Sequence, residues 1–173
     1  MIDDFIVEYK RYRMLGERAL ARIPDAMLNH VPAPDGNSAA MLVYHISGNL
    51  ASRFSDFLAS DGEKPWRARD EEFADRACTR IEVGAKWLAG WRVVEETLAA
   101  LTEADLGRTV TIRQQPLSVH AALCRSSAHM AYHVGQLVLI ARTTAVGEWE
   151  SLSIPKGMSE AYNAQPTREK APQ

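Results

Sequence analysis

Apolar residues recur at three- and four-residue steps along four long stretches of the chain, the period of a helix with one buried face. From residue 2 to about 22 the stripe runs Phe5, Tyr9, Tyr12, Gly16 and Ala19 toward Ile23, while Arg11, Arg18 and Arg22 fall off it. Pro24 and the run Val31-Pro32-Ala33-Pro34-Asp35-Gly36 end the pattern, because proline lacks an amide donor and biases its predecessor away from helix. Asn37 or Ser38 can cap a second helix, expected to reach about Ser60 before Asp61-Gly62 stops it. Thr79 and Glu82 stand in capping-box spacing ahead of a third stripe, Trp87, Trp91, Val94, Leu98 and Leu101. Ser118 opens a fourth helix running to about Arg142, and a shorter segment is expected around Glu148 to Leu152.

Between the third and fourth helices, Thr102 to Leu106 reads as a short turn or helix. The β-branched alternation of Thr109 to Ile112, ahead of Gln114-Gln115-Pro116, suggests a small extended or hairpin element. Residues 61–76 hold ten charged side chains out of sixteen and read as a solvated loop, though Trp66 and Phe73 within it are expected to seek the body of the protein. Four amphipathic helices of about twenty residues bury their stripes together most economically as a four-helix bundle. The expectation is an all-α fold, one domain over residues 1–163 and a polar, frayed tail over 164–173.

Composition narrows the function classes. The 173 residues carry 20 basic and 22 acidic side chains, a net charge of −2, so no nucleic-acid groove or anionic membrane surface is implied as partner, although a local basic patch stays open. The acidic start of the chain lacks the form of a signal peptide, and no segment has the ~20 apolar residues of a spanning helix. Cys78 and Cys124 form no CxxC pair. Together these features point to a cytoplasmic protein.

The chemistry concentrates on histidine. His129 and His133 are four apart in the fourth helix, so their side chains share a face one turn apart, the face that carries Ala122, Ser126, Leu137 and Ile140. Such a pair is either two core histidines satisfied by backbone or hydroxyl groups, or a two-point grip on a divalent metal, and the spacing alone leaves both readings open. His45 lies in the second helix on a partly polar row with Met41, Asn49, Ser52 and Asp56, a row suited to lining a wet pocket. Facing His129 and His133 across that pocket, it would complete a three-histidine site with positions left open for water or substrate. Asn49, Asp56, Gln136, Tyr44 and Tyr132 are candidates to orient the rings, and Arg53 with the charged 61–76 loop to orient an anionic co-substrate. His30 sits in the proline-rich loop, and His120 and Cys124 project away from His133. No HExxH, Glu-x-x-His, GxSxG, GxxxxGK[ST] or GxGxxG is present, so zincin protease, di-iron bundle, α/β-hydrolase and nucleotide-binding chemistries lose their usual signatures.

Over residues 37–163 the chain resembles the DinB/YfiT-like superfamily of four-helix-bundle metalloproteins, and within it a bacterial DinB-like subgroup of unknown function. The resemblance is carried by Asn37-Ser38, His45-Ile-Ser-Gly-Asn49, Arg53-Phe54, Asp61-Gly-Glu-Lys64 with Arg67, Arg69-Asp70 and Glu72-Phe73. Ile112-Arg113, His129-Met-Ala-Tyr-His133-Val-Gly-Gln136 and Ser151-Leu-Ser-Ile-Pro155 with Gly157 and Ser159-Glu160 complete it. It implies that His45, His129 and His133 hold one divalent ion per chain, nickel or zinc, in an open site, and that the protein is a homodimer. It also implies thiol-dependent S-transfer, since characterised relatives use low-molecular-weight thiols on small substrates. A metal-dependent hydrolase and a non-enzymatic metal- or partner-binding bundle are the alternatives.

Overall fold

Three of the four long helices begin at a hydroxyl that takes an orphan amide of the first turn. Ser38 Oγ accepts from Met41 N–H at 3.2 Å, Thr79 Oγ1 from Glu82 N–H at 3.3 Å, and Ser118 Oγ from Ala121 N–H at 3.0 Å. Glu82 returns the bond, its carboxylate accepting from Thr79 N–H at 2.7 Å. The computed structural model describes residues 1–167, in which the long helices are α1 (Ile2–Leu20), α2 (Ala39–Phe54), α3 (Arg80–Ala100) and α4 (Val119–Thr144). A hairpin of β1 (Thr109–Ile112) and β2 (Gln115–Ser118) precedes α4, and a short α5 (Ser159–Ala164) follows it. This is the expected helical bundle with its small hairpin.

α2 packs chiefly on α3 and α1 on α4, and the stripes read from the sequence meet in one apolar cluster. Trp87, Trp91, Val94 and Leu98 are buried, and Tyr9 meets Phe54 and Trp91 edge-on while its hydroxyl donates to the Leu123 carbonyl at 3.0 Å. Burial pushes the Tyr9 phenol well above its ordinary acidity range. Where α3 crosses α2, a Cβ on Gly90 would stand 2.6 Å from Ser47 Cα, so the approach of the two backbones requires glycine there.

Three expectations are corrected. α2 ends at Phe54 rather than near Ser60: Ser55 is extended, Asp56 takes φ 47°, and Ser52 and Arg53 both donate to the Gly62 carbonyl, drawing the chain back over the end of the helix. No helix forms at Glu148 to Leu152; α5 appears later. Trp66 is 58% exposed and does not lie against the body, whereas Phe73 is half-buried against the His45 ring. The expected tail is described only to residue 167, and 168–173 lie outside the described residues. Among the described residues no helix is long and apolar enough to cross a membrane.

The charged loop is not simply solvated. Gly62 N–H donates to the Thr111 carbonyl at 2.8 Å, and the Asp61 carboxylate accepts from the backbone N–H groups of Glu63, Arg113 and Gln114 at 2.7 to 2.8 Å. Those donors hold the Asp61 carboxyl far below the usual carboxylate range. They also explain the hairpin turn, in which Arg113 and Gln114 both adopt positive φ without glycine: the side chain of Asp61 satisfies the amides that this turn exposes.

Candidate metal centre

α2 and α4 touch each other much less than either touches its main partner, and the seam between them opens into a cavity of about 480 Å³. Its floor is histidine. His45 comes from the buried face of α2, His129 and His133 from successive turns of α4, and the three rings meet edge to face with centroids 4.5 to 5.1 Å apart. His129 Nε2 stands 3.1 Å from both His45 Nε2 and His133 Nε2.

What lies behind each ring decides what its inward nitrogen offers. His45 Nδ1 is 2.8 Å from Glu72 Oε2, so a neutral ring donating there keeps its Nε2 lone pair for the centre. His133 Nδ1 is 3.4 Å from Gln136 Oε1, the same arrangement more loosely made. His129 Nδ1 is buried and has no hydrogen-bond partner among the described residues. Burial, reinforced by the neighbouring imidazoles, pushes His129 down to about 3 and His133 to about 4, so both rings are neutral at pH 7.

Two Nε2 lone pairs facing each other across 3.1 Å repel unless something stands between them, and His129 Nε2 meets both of the other rings at that distance. Ligands about 2.05 Å from a metal lie about 3.3 Å apart in tetrahedral and about 2.9 Å apart in octahedral geometry, and the observed spacing falls between the two. An all-imidazole donor set suits zinc, nickel, copper or iron and not magnesium or calcium. The residues therefore fit a divalent transition ion, and the cavity side leaves its remaining positions open.

Glu72 is the site residue that the sequence reading missed. It sits in the short 3-10 turn Asp70–Phe73, and its carboxylate is gripped by Arg67, Nε to Oε1 at 2.8 Å and Nη2 to Oε2 at 2.9 Å, while it holds His45. Burial would raise its pKa, but Arg67 and His45 outweigh burial and hold it below the ordinary glutamate value. A Cβ on Gly48 would lie 2.2 Å from Glu72 Oε1, so the glycine inside α2 is the notch through which the carboxylate reaches the ring. Phe73 then covers His45, centroids 4.6 Å apart. Arg67 leads outward to Glu63 at 3.9 Å, and Glu63 to Arg53 at 3.0 Å and Arg113 at 2.9 Å.

The other expected site residues divide. Asn49, Arg53 and Gln136 line the cavity, and Tyr132 stands at its rim with its ring edge on His133. Asp56 does not: α2 has ended before it, and its left-handed turn places it outside the cavity. Tyr44 faces the opposite side of α2, stacked under Arg76. His30 is exposed on the α1–α2 connection, and His120, near Cys124 on the outer face of α4, is remote from the trio as the helix geometry requires.

A family model described as protein of unknown function (DUF1572) matches residues 1–158. The chain belongs to the DUF1572 family. A crystal structure of a DinB-like protein from Bacillus cereus is similar to it with a TM-score of 0.59, 15% identity, and coverage of 85% of this chain and 97% of that one. At that identity the likeness is one of fold, and it makes this member of DUF1572 a DinB-like helical bundle. No curated protein matches the chain.

Proposed function

We propose that this DUF1572 protein is a metal-dependent enzyme of the cytoplasm that transfers a small thiol to an electrophilic substrate, working as a homodimer. The observation that carries the reading is the convergence of three histidine rings on the floor of an open cavity, with His129 Nε2 3.1 Å from the Nε2 atoms of both others and His45 fixed by a buried carboxylate. Bound there, nickel or zinc would supply Lewis-acid stabilisation of a thiol in its deprotonated form. Glu72 and Gln136 hold the rings of His45 and His133, and Phe73 keeps water from the back of His45. In the transfer, the thiol sulfur forms a bond to the electrophilic carbon, the leaving group departs with the bonding pair, and the thiol proton passes to solvent.

Elemental analysis of protein purified without a metal-affinity tag tests the first step. One divalent ion per chain is expected, lost on replacing His45, His129 or His133 by Ala and kept in His30→Ala and His120→Ala. At a hundredfold excess over the dissociation constant, the ion adds about 2.7 kcal/mol of stability, roughly 5–10 °C in melting temperature. A screen of thiols against alkylating electrophiles tests the second step. Turnover with water in place of thiol makes the protein a hydrolase, and an intact metal site without turnover makes it a binding protein.

A further inference from the structure

The cavity above the histidines is a positive spot on a chain of net charge −2. Among the described residues that line it are five arginines and no aspartate or glutamate. Three of those arginines are engaged: Arg53 with the Gly62 carbonyl and Glu63, Arg67 with Glu72, and Arg113 with Glu63. The other two have hands free. Arg125 makes no hydrogen bond or ion pair with any described residue, and it stands one helical turn before His129, at the mouth of the cavity. Arg69 has only an ion pair at 3.6 Å with the solvent-exposed Asp70, and its guanidinium lies over the Phe73 ring.

Inside the same cavity Asn49 is 8% exposed, and its carboxamide has no hydrogen-bond partner among the described residues. That carboxamide opens on the cavity, so its N–H groups are free to donate to a ligand oxygen. Phe57 and Ile112 give the cavity an apolar wall, and its volume suits a small molecule rather than a bare ion.

We propose that the cavity's second ligand, beside the metal, is a small organic anion whose carboxylate or phosphonate-type group is held by Arg69, Arg125 and the Asn49 amide, with an apolar portion against Phe57 and Ile112. For the ligand's role as substrate or co-substrate this rests on the metal reading; for its charge it does not. The arginines of the lining give the cavity a positive field, and Arg69 and Arg125 are the two that no carboxylate among the described residues answers with a hydrogen bond. An anion answers that field where a neutral or cationic molecule leaves it unbalanced.

Titration calorimetry of the metal-loaded protein with phenylphosphonate, benzoate, benzamide and benzamidine tests the inference. At least one of the two anions is expected to bind tenfold or more tightly than benzamide, with benzamidine weaker still. The Arg69→Ala/Arg125→Ala chain should lose tenfold or more in affinity for that anion, and Asn49→Ala severalfold, while Arg92→Ala on the outside of α3 stays at the parent value. Benzamide binding as well as both anions, or an arginine double variant that is folded by its melting curve and binds like the parent, overturns the proposal. Metal content of the same samples is scored separately: protein that takes up no metal but still binds phenylphosphonate through Arg69 and Arg125 sinks the metal reading and leaves the anion site standing.

Discussion

Helix α2 has two working faces, and they are built on opposite principles. Toward α3 it packs backbone against backbone, Ser47 against Gly90, and the Phe54 carbonyl accepts from Thr97 Oγ1 at 3.0 Å, with no room to spare. Toward α4 it presents His45 and Asn49 to a cavity, where facing lone pairs and an unpaired amide are tolerated. One seam supplies stability through buried area and close packing. The other gives stability up in exchange for a preorganised set of donors, the usual relation between a scaffold and the site it carries.

Truncation should separate close packing from the open seam most sharply. Trp91→Ala, in the packed core where α3 meets Tyr9 of α1, is expected to cost about 3–5 kcal/mol, on the order of 10 °C in melting temperature. His129→Ala, in the open seam, removes an orphaned buried nitrogen and should move the metal-free melting temperature by only about 2 °C; a loss as large as that of Trp91→Ala would break the contrast.

The next effect is on metal. Glu72→Gln removes the charge that holds His45 and should weaken zinc or nickel binding by about 10–100-fold, read by competition with a chromophoric chelator. Gly48→Ala should do the same from within α2 by displacing that carboxylate, whose flexible end can move aside without unfolding the helix. Gly90→Ala is the matched control in the other seam: its new methyl meets backbone, so about 1–3 kcal/mol of stability is lost while metal affinity is kept.

The smallest effect is in pH. His129 and His133 take up protons at about 3 and about 4 in the folded chain, against ~6.5 for an unfolded one. Between those values the unfolded state binds more protons, so metal-free stability is full above about pH 6.5 and falls as pH drops toward 4. Urea midpoints at pH 7 and 5.5 should show a modest loss, shallower in a His129→Ala/His133→Ala chain. Histidine ligands of ordinary acidity would surrender metal near pH 6.5, whereas these should hold it to lower pH.

What was legible in the sequence is what repeats or caps. The four stripes, the hydroxyls at Ser38, Thr79 and Ser118, and the four-residue spacing of His129 and His133 are local signals, and each lies where its period put it. Glu72 was not legible, because its role depends on a loop folding back across α2 and on the notch at Gly48, a relation between residues 24 apart that no periodicity encodes. Beside the Glu72-Phe73 phrase of the resemblance, which carries no role, a glycine inside an otherwise regular helix was its signal. Asp56 failed for the converse reason: the row through His45 was extended past the point where the Gly62 carbonyl ends the helix.

The chain of contacts from Arg113 through Glu63, Arg67 and Glu72 to His45 alternates in sign from the exposed hairpin to the cavity floor. Its inner links are desolvated, the Arg67 side chain being only 2% exposed, so no charge in it is affordable alone. Glu63 is thus the keystone of an arch: remove its charge and three guanidiniums, those of Arg53, Arg67 and Arg113, press on one another with nothing between them. A residue that touches no histidine thereby sets the strain under which one of them is held.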